Sequence, residues 1–361
     1  MSGPIRIRGH LTGWTGYGQI AEWLGRGLES HGHRVEYEDY GADLRWLPQQ
    51  DFVRDRIADG PTDGWIVHLA SPNHVYDRTN PTICFTMWEA SGLPKGAVPM
   101  LNGARAVVVP CRYNLWNFRA CGVTARMHLC PLGISPGEGY TPSPIPEGGP
   151  TVFGMAARLT GGGGTRKGIN EGIWAFLDAF PADPDVELRV KLWPDCVRHV
   201  EVPGDPRVKI DTTPMLPRQM ANWYHGITCL FVPSRGEGWG LHTHQAMACG
   251  RPVIACKYSG TAEFFDGRHG WELEYSEVAA SGYYAGAGQW AVASHWSMVD
   301  TLRRVHASRG ECITKGELAA HRARQFTWDR TAGIFENILQ QAGALPVVAE
   351  PATRPSLLEV L

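Results

Sequence analysis

Nowhere in the 361 residues does an apolar run approach the ~20 residues needed to cross a bilayer, so no membrane-spanning helix is expected. An excess of one charge is missing too. Lys and Arg number 34 against 36 Asp and Glu, a net charge of −2. That balance offers neither the basic field of a tight nucleic-acid binder nor a polybasic membrane tag, although it is compatible with a local basic patch. No Cys-x-x-Cys pair occurs, and nine cysteines is an odd number. Most of them, such as Cys84, Cys229 and Cys256, lie in apolar strand-like stretches. They read as reduced, buried thiols of a cytoplasmic protein rather than a disulfide or zinc framework. The first residues lack a signal-peptide core, which points to the same compartment.

What is present is a globular mix, 43% hydrophobic and 19% charged, long enough for two domains. Short apolar runs alternate with helical patterns. Strands are expected at Ile5–Gly9, 34–40, 65–70, 82–88, 104–110 and 128–134, with helices at 19–31 and 114–120. Residues 136–150, rich in Pro and Gly, read as a linker. The rhythm then restarts, with strands at Thr151–Ala157, 187–193, Val208–Asp211, 227–233 and 252–257 and helices at 168–180 and Pro217–His225. Alternation on both sides of one linker predicts an α/β chain of two doubly wound domains, with ligands at the strand C-termini in the cleft between them. The expected division is 1–140 for the first domain and 151–328 for the second. A last helix over 329–343 has Thr327 as N-cap, and a loose tail runs from 344 to 361.

The densest signal is a buried strand, a glycine-rich turn (Gly236-Glu237-Gly238-Trp239-Gly240), a helix through Gln245, and a second strand. Glycines let the backbone approach a ligand, and the amides of Trp239, Gly240 and Leu241 are helix-start donors suited to a diphosphate. A plain turn whose Glu237 complements the helix dipole is the competing reading. Arg158, ending the first strand of the second half, and Lys167, at the next helix start, suit a diphosphate leaving group, with a solvated basic loop as the alternative. The Gly13–Gly18 loop lacks dinucleotide-fingerprint spacing. Its Trp14 and Tyr17 suit a stacked sugar or ordinary packing. Glu89 stands at a strand C-terminus facing the cleft. His242 and His244 have no third ligand at metal spacing, so no metal is expected.

Together these segments resemble a family-4 retaining glycosyltransferase of the GT-B fold, over nearly the whole chain. The resemblance rests on Pro233-Ser through Glu237-Gly-Trp-Gly-Leu241, on Ala246-Met-Ala-Cys-Gly-Arg-Pro-Val-Ile-Ala255 and on Ser259-Gly-Thr-Ala-Glu263. Ala157-Arg-Leu with Lys167-Gly, Pro131-Leu-Gly-Ile134 and the closing Phe326-Thr-Trp-Asp329 add to it. It implies two facing Rossmann-like domains with the C-terminal helix crossing back to the first. It also implies a nucleotide-diphosphate sugar as co-substrate, no further cofactor, and retention of anomeric configuration by a front-side path. By the same resemblance, Arg158 and Lys167 hold the diphosphate, as do the amides from Gly238 to Leu241. Glu237 binds the transferred sugar, Gln245 the ribose, Glu263 lies near the nucleotide, and Gly16 approaches the phosphates.

Three features depart from the family pattern. Gln replaces Glu at 245, four glycines stretch the Arg158–Lys167 spacing so that Arg166 competes for the cation role, and Trp88-Glu89 stands where a cleft histidine is usual. The expected function is hexose transfer from a UDP- or GDP-sugar to a hydroxyl of a glycan or small molecule. Glycosylation of a nucleic-acid base, nucleotide-sugar epimerisation and sugar-nucleotide binding without turnover are the alternatives, and peripheral membrane contact stays open.

Overall fold

The apolar runs assemble into two separate parallel sheets in the computed structural model, which describes residues 3–11, 15–40, 51–58, 60–74, 76, 80–159 and 165–346. In the first half, β1 (Ile5–Gly9), α1 (Gly16–Ser30), β2 (Val35–Asp39), α2 (Asp51–Arg54), β3 (Trp65–Leu69) and β4 (Thr82–Phe85) are followed by α3 (Ala97–Asn102), β5 (Ala106–Val109), α4 (Arg112–Ala120) and β6 (Met127–Leu129). Their six strands lie in the order β2-β1-β3-β4-β5-β6. Ile5 sits opposite both Val35 and Trp65, and every pair is parallel.

The second half repeats the plan with β7 (Thr151–Ala157), α5 (Ile169–Ala179), β8 (Val186–Leu192), β9 (Val208–Asp211), α6 (Pro217–His225), β10 (Cys229–Val232), α7 (Leu241–Ala248), β11 (Val253–Ala255) and β12 (Gly270–Glu272). Its order is β12-β11-β10-β7-β8-β9, again parallel throughout. Strands β4, β5 and β10 are buried at every residue, which is why they read as unbroken apolar runs rather than alternating ones.

A small antiparallel hairpin, β13 (Tyr275–Ala279) with β14 (Gln289–Ala293), follows, then α8 (His295–Ala307), α9 (Arg309–Ala323) and α10 (Trp328–Ala342). Helix α10 crosses back to the first half. Trp328 stacks on Trp23, Phe335 stacks on Phe85, and Ala332 lies so close to Gly27 of α1 that a Cβ there would stand 2.2 Å from the alanine Cβ. Thr327 caps α10, its Oγ1 accepting from the Arg330 amide at 3.3 Å.

Several expectations need adjustment. Helix α1 begins at Gly16, not 19, because Thr15 caps it by accepting from the Gly18 amide at 2.9 Å. Strand β4 stops at Phe85, so Thr86 to Glu89 leave the sheet. Helix α7 is deeply placed: Thr243 to Ala248 are all buried. The hairpin, α8 and α9 had no assignment from sequence. The Pro/Gly segment is pinned to the second half, where the fully buried Arg251 donates to the carbonyls of Ser143 and Pro144. Ala344 and Leu345, placed in the tail, are buried. Residues 347–361 lie outside the described residues.

Candidate active site

The two sheets face each other across a cleft of about 470 Å³. The start of α1 and the segment after β4 supply its first-half wall, with Gly16, Tyr17, Gln19, Met87 and Glu89. The opposite wall comes from the ends of β7 and β8, the turn before α5, the turn after β10 and helix α7, with Arg158, Arg166, Lys167, Lys191, Glu237 and Gln245. These are C-terminal strand ends, where parallel α/β sheets bind ligands.

A buried charge cluster forms the floor. Lys167 Nζ lies 2.6 Å from Glu237 Oε1, and Arg166 Nη1 lies 3.4 Å from Glu237 Oε2. Arg166 also donates to the Gly236 carbonyl at 2.5 Å and stands 3.7 Å from Glu89 Oε1. Ser234 Oγ donates to Glu237 Oε1 at 2.6 Å. Burial opposes a charge on Glu237, yet Lys167, Arg166 and His242 together hold its carboxyl well below the usual range. Burial pulls the Lys167 amine down, and Glu237 counters it. The Glu237 amide donates to Ser259 Oγ at 2.8 Å. Ser259 is the single non-glycine with positive φ among the described residues, at 53°, a strained conformation spent on fixing the turn that bears Glu237.

Arg158 differs from its neighbours. Its guanidinium lies 5.1 Å over the Trp193 ring, it has no carboxylate partner among the described residues, and its Nε is buried without a hydrogen-bond partner. It is thus a cation available to an anionic ligand. Among the described residues the amides of Trp239, Gly240 and Leu241 make no hydrogen bond to a backbone carbonyl, so the N-terminus of α7 offers donors in the same cleft.

The glycines of the turn have a different reason from the one read in sequence. A Cβ at Gly236 would meet the Glu89 carbonyl oxygen at 2.2 Å, and one at Gly238 the Met87 side chain at 2.4 Å. They admit the first half of the protein, not a ligand. At Gly16 the nearest atom to a Cβ is Leu241 Cδ1 at 3.8 Å, so this glycine leaves space in the cleft.

The remaining expected residues divide. Gln245 lines the cleft, but its amide nitrogen already donates to Gln19 Oε1 of α1 at 3.0 Å. Tyr17 and Glu89 line it; Glu89 Oε2 accepts from Tyr284 at 2.8 Å. Trp239 is buried, its ring packed on Phe264 and Phe326, so only its backbone faces the site. Glu263 corrects the sequence reading. It is absent from the cleft lining, and its carboxylate is taken up by the Arg112 amide at 2.9 Å and guanidinium at 2.8 Å, which tie the halves together. Trp14 lies outside the described residues.

Reading the sequence gave no role in this cleft to His242 or Lys191. His242 sits beside Glu237, and burial pushes its imidazole down to about 4, so it is neutral at physiological pH. Lys191 donates to the carbonyls of Leu192, Asp211 and Thr213, and Trp193 follows it. Among the described residues, no group of three or more His, Cys, Asp or Glu is arranged to hold a metal, and no helix is long and apolar enough to cross a membrane.

Residues 186–281 match a family model described as Glycosyl transferases group 1. In sequence the chain is similar to D-inositol 3-phosphate glycosyltransferase of Arthrobacter sp. (strain FB24), 29% identical over 160 residues, covering 42% of this chain and 34% of that protein. The chain thus spans about a third of that relative's length. In structure it is similar to sucrose-phosphate synthase from Thermosynechococcus elongatus, with a TM-score of 0.68 at 15% identity, covering 94% of this chain and 99% of the other. It is also similar to an alpha,alpha-trehalose-phosphate synthase (UDP-forming) from Burkholderia vietnamiensis, with a TM-score of 0.62 at 11% identity, covering 94% and 100%. With two facing parallel sheets and these likenesses, the chain has the GT-B fold, and its residues 186–281 are similar to the group 1 glycosyl transferases.

Proposed function

We propose that this chain transfers a hexose from a UDP- or GDP-sugar to a hydroxyl of a glycan or small molecule, with retention of configuration and without a metal ion. The observation that carries this reading is the convergence of Arg158, Arg166, Lys167 and the α7 amides on one wall of the cleft. Three cations and a helix N-terminus match a diphosphate that gains charge as it leaves. The similarity to a synthase named as UDP-forming favours a uridine donor.

In this reading the bond from the anomeric carbon to the donor's phosphate oxygen breaks while the acceptor oxygen bonds to the same carbon from the same face. The acceptor's proton goes to the departing phosphate oxygen. The protein positions both partners and stabilises the developing charge. Arg158, which has no carboxylate partner among the described residues, and Arg166 face the diphosphate. Glu237, kept ionised by Lys167 and Arg166, accepts hydrogen bonds from sugar hydroxyls. Gln245 reaches the ribose with its remaining hydrogen-bonding capacity. Tyr17 and Glu89 line the acceptor side.

A donor-by-acceptor screen read by mass spectrometry, with proton NMR of the product, tests this. The expected result is release of the nucleoside diphosphate and a glycoside with the donor's anomeric configuration. No turnover with any UDP- or GDP-sugar, or an inverted product, overturns it.

A further inference from the structure

The β13–β14 hairpin is rooted in the second half and touches the first. At its root the Ala291 amide donates to the Arg235 carbonyl at 2.9 Å, and the Arg235 guanidinium lies 5.4 Å over the Trp290 ring. At its tip the Ser91 and Gly92 amides of the first half donate to the carbonyls of Gln289 and Ala287, each at 2.9 Å. Asn73 Nδ2 donates to the Tyr283 hydroxyl at 2.6 Å. The fit is tight: a Cβ on Gly288, whose φ is 85°, would stand 2.3 Å from the Gly92 nitrogen. A two-stranded hairpin is marginal alone, and every residue of β13 is exposed, so it depends on these end contacts and on Tyr258, whose ring packs on Tyr275 at 5.5 Å and whose hydroxyl lies 3.3 Å from both Glu277 Oε2 and the Gln289 carbonyl.

The tip also carries Tyr284 into the charged cluster. Its ring packs on Trp88 at 4.5 Å and on Trp290 at 5.7 Å, and its hydroxyl donates to Glu89 Oε2 at 2.8 Å. The other oxygen of Glu89 faces Arg166 at 3.7 Å, and Arg166 stands over the Tyr284 ring at 5.6 Å. The line Tyr284–Glu89–Arg166–Glu237 thus crosses from the second half to the first and back. The segment that matches the glycosyltransferase family ends at residue 281, before this tip.

We propose that the β13–β14 hairpin is a latch that keeps the two halves closed, and that Tyr284 is a positioning residue that orients Glu89 and through it Arg166. The second part rests on the reading of Arg166 as a cation facing the donor diphosphate. Without the hydroxyl, Glu89 can turn away from Arg166, and the guanidinium loses its cross-cleft constraint.

The test is a double-mutant cycle with Tyr284→Phe, which keeps the ring packing, and Glu89→Gln. Tyr284→Phe is expected to lower kcat about tenfold while leaving the donor KM within about twofold, because the affected contact strengthens as the phosphate leaves. In the Glu89→Gln background the same change is expected to alter kcat by less than about twofold. An unchanged kcat in Tyr284→Phe, or an equal loss in both backgrounds, overturns the positioning role. The latch is tested without any donor through Gly288→Val. Hydrogen exchange at the Ser91 and Gly92 amides should lose protection, and the radius of gyration from X-ray scattering should rise. Unchanged protection and radius overturn the latch. If calorimetry finds no UDP- or GDP-sugar bound by the wild-type protein, the proposed function fails, and the exchange and scattering results still decide the latch.

Discussion

Arg158 and Lys167 are both cations of the cleft, but they differ in what else depends on them. Lys167 is paired with a buried carboxylate at 2.6 Å, whereas Arg158 rests on Trp193 with no acid beside it. Arg158→Ala should therefore lower turnover about 100-fold or more with little change in melting temperature. Lys167→Ala should lower both, since removing one partner of a buried pair costs about 3–5 kcal/mol. Parallel kinetics and thermal melts distinguish the two; equal loss of stability in both variants contradicts this assignment. A second prediction concerns Glu138. Burial, then the charge of Glu22, raises its carboxyl to about 7 from an ordinary value of 4.5. The folded protein thus holds a proton that the unfolded chain releases, so stability falls as pH rises from about 4.5 through 7. Glu138→Gln should stabilise the protein at pH 8 by on the order of 1–3 kcal/mol, with the gain shrinking by pH 5. Chemical denaturation at both values checks the sign. At this scale residue types were legible but partners were not. Nothing in the sequence tells that Gln245 meets Gln19, 226 positions away, or that Glu263 is taken by Arg112.

Among the elements, the strands were the most legible, because a parallel strand buried on both faces leaves a continuous apolar run such as Cys229–Val232. Their ends moved by up to five residues, as where the strand expected at 128–134 stops at Leu129, and the start of helix α1 moved to Gly16 because Thr15 caps it. The hairpin escaped notice because its strands carry few core residues; in β14 only Trp290 and Ala291 are buried. In helix α7 the polar Thr243, His244 and Gln245 are buried, His244 by bonding to the Ala323 carbonyl of α9 at 3.1 Å. The turn before α7 is packed against the segment after β4, which leads to a prediction for that contact. Gly238→Val should push against Met87, separate the two walls and lower turnover at least about tenfold, and adding Met87→Ala should restore part of it. Absence of any rescue contradicts the steric explanation.

For the whole molecule, two doubly wound halves were readable from the restart of the βα rhythm after residue 150, whereas the GT-B plan and the crossing of α10 were implied by the family resemblance of the glycine turn and the closing Phe326–Asp329 motif. How the halves meet was not readable, since it depends on Glu263 with Arg112, on Gln19 with Gln245 and on the hairpin tip, all contacts between distant residues. The cleft between them supplies positive charge from side chains. Turnover is accordingly expected to persist in excess EDTA, measured as nucleotide release; its loss and recovery on adding a divalent ion contradict that expectation. The central claim is that Arg158, Arg166 and Lys167 form a diphosphate site. Calorimetric titration of UDP and GDP into the wild-type protein and into Arg158→Ala tests it most directly. The account predicts saturable binding of at least one of them by the wild type and affinity at least about tenfold weaker in the variant. No binding of either nucleotide, or equal affinity in the two proteins, contradicts it.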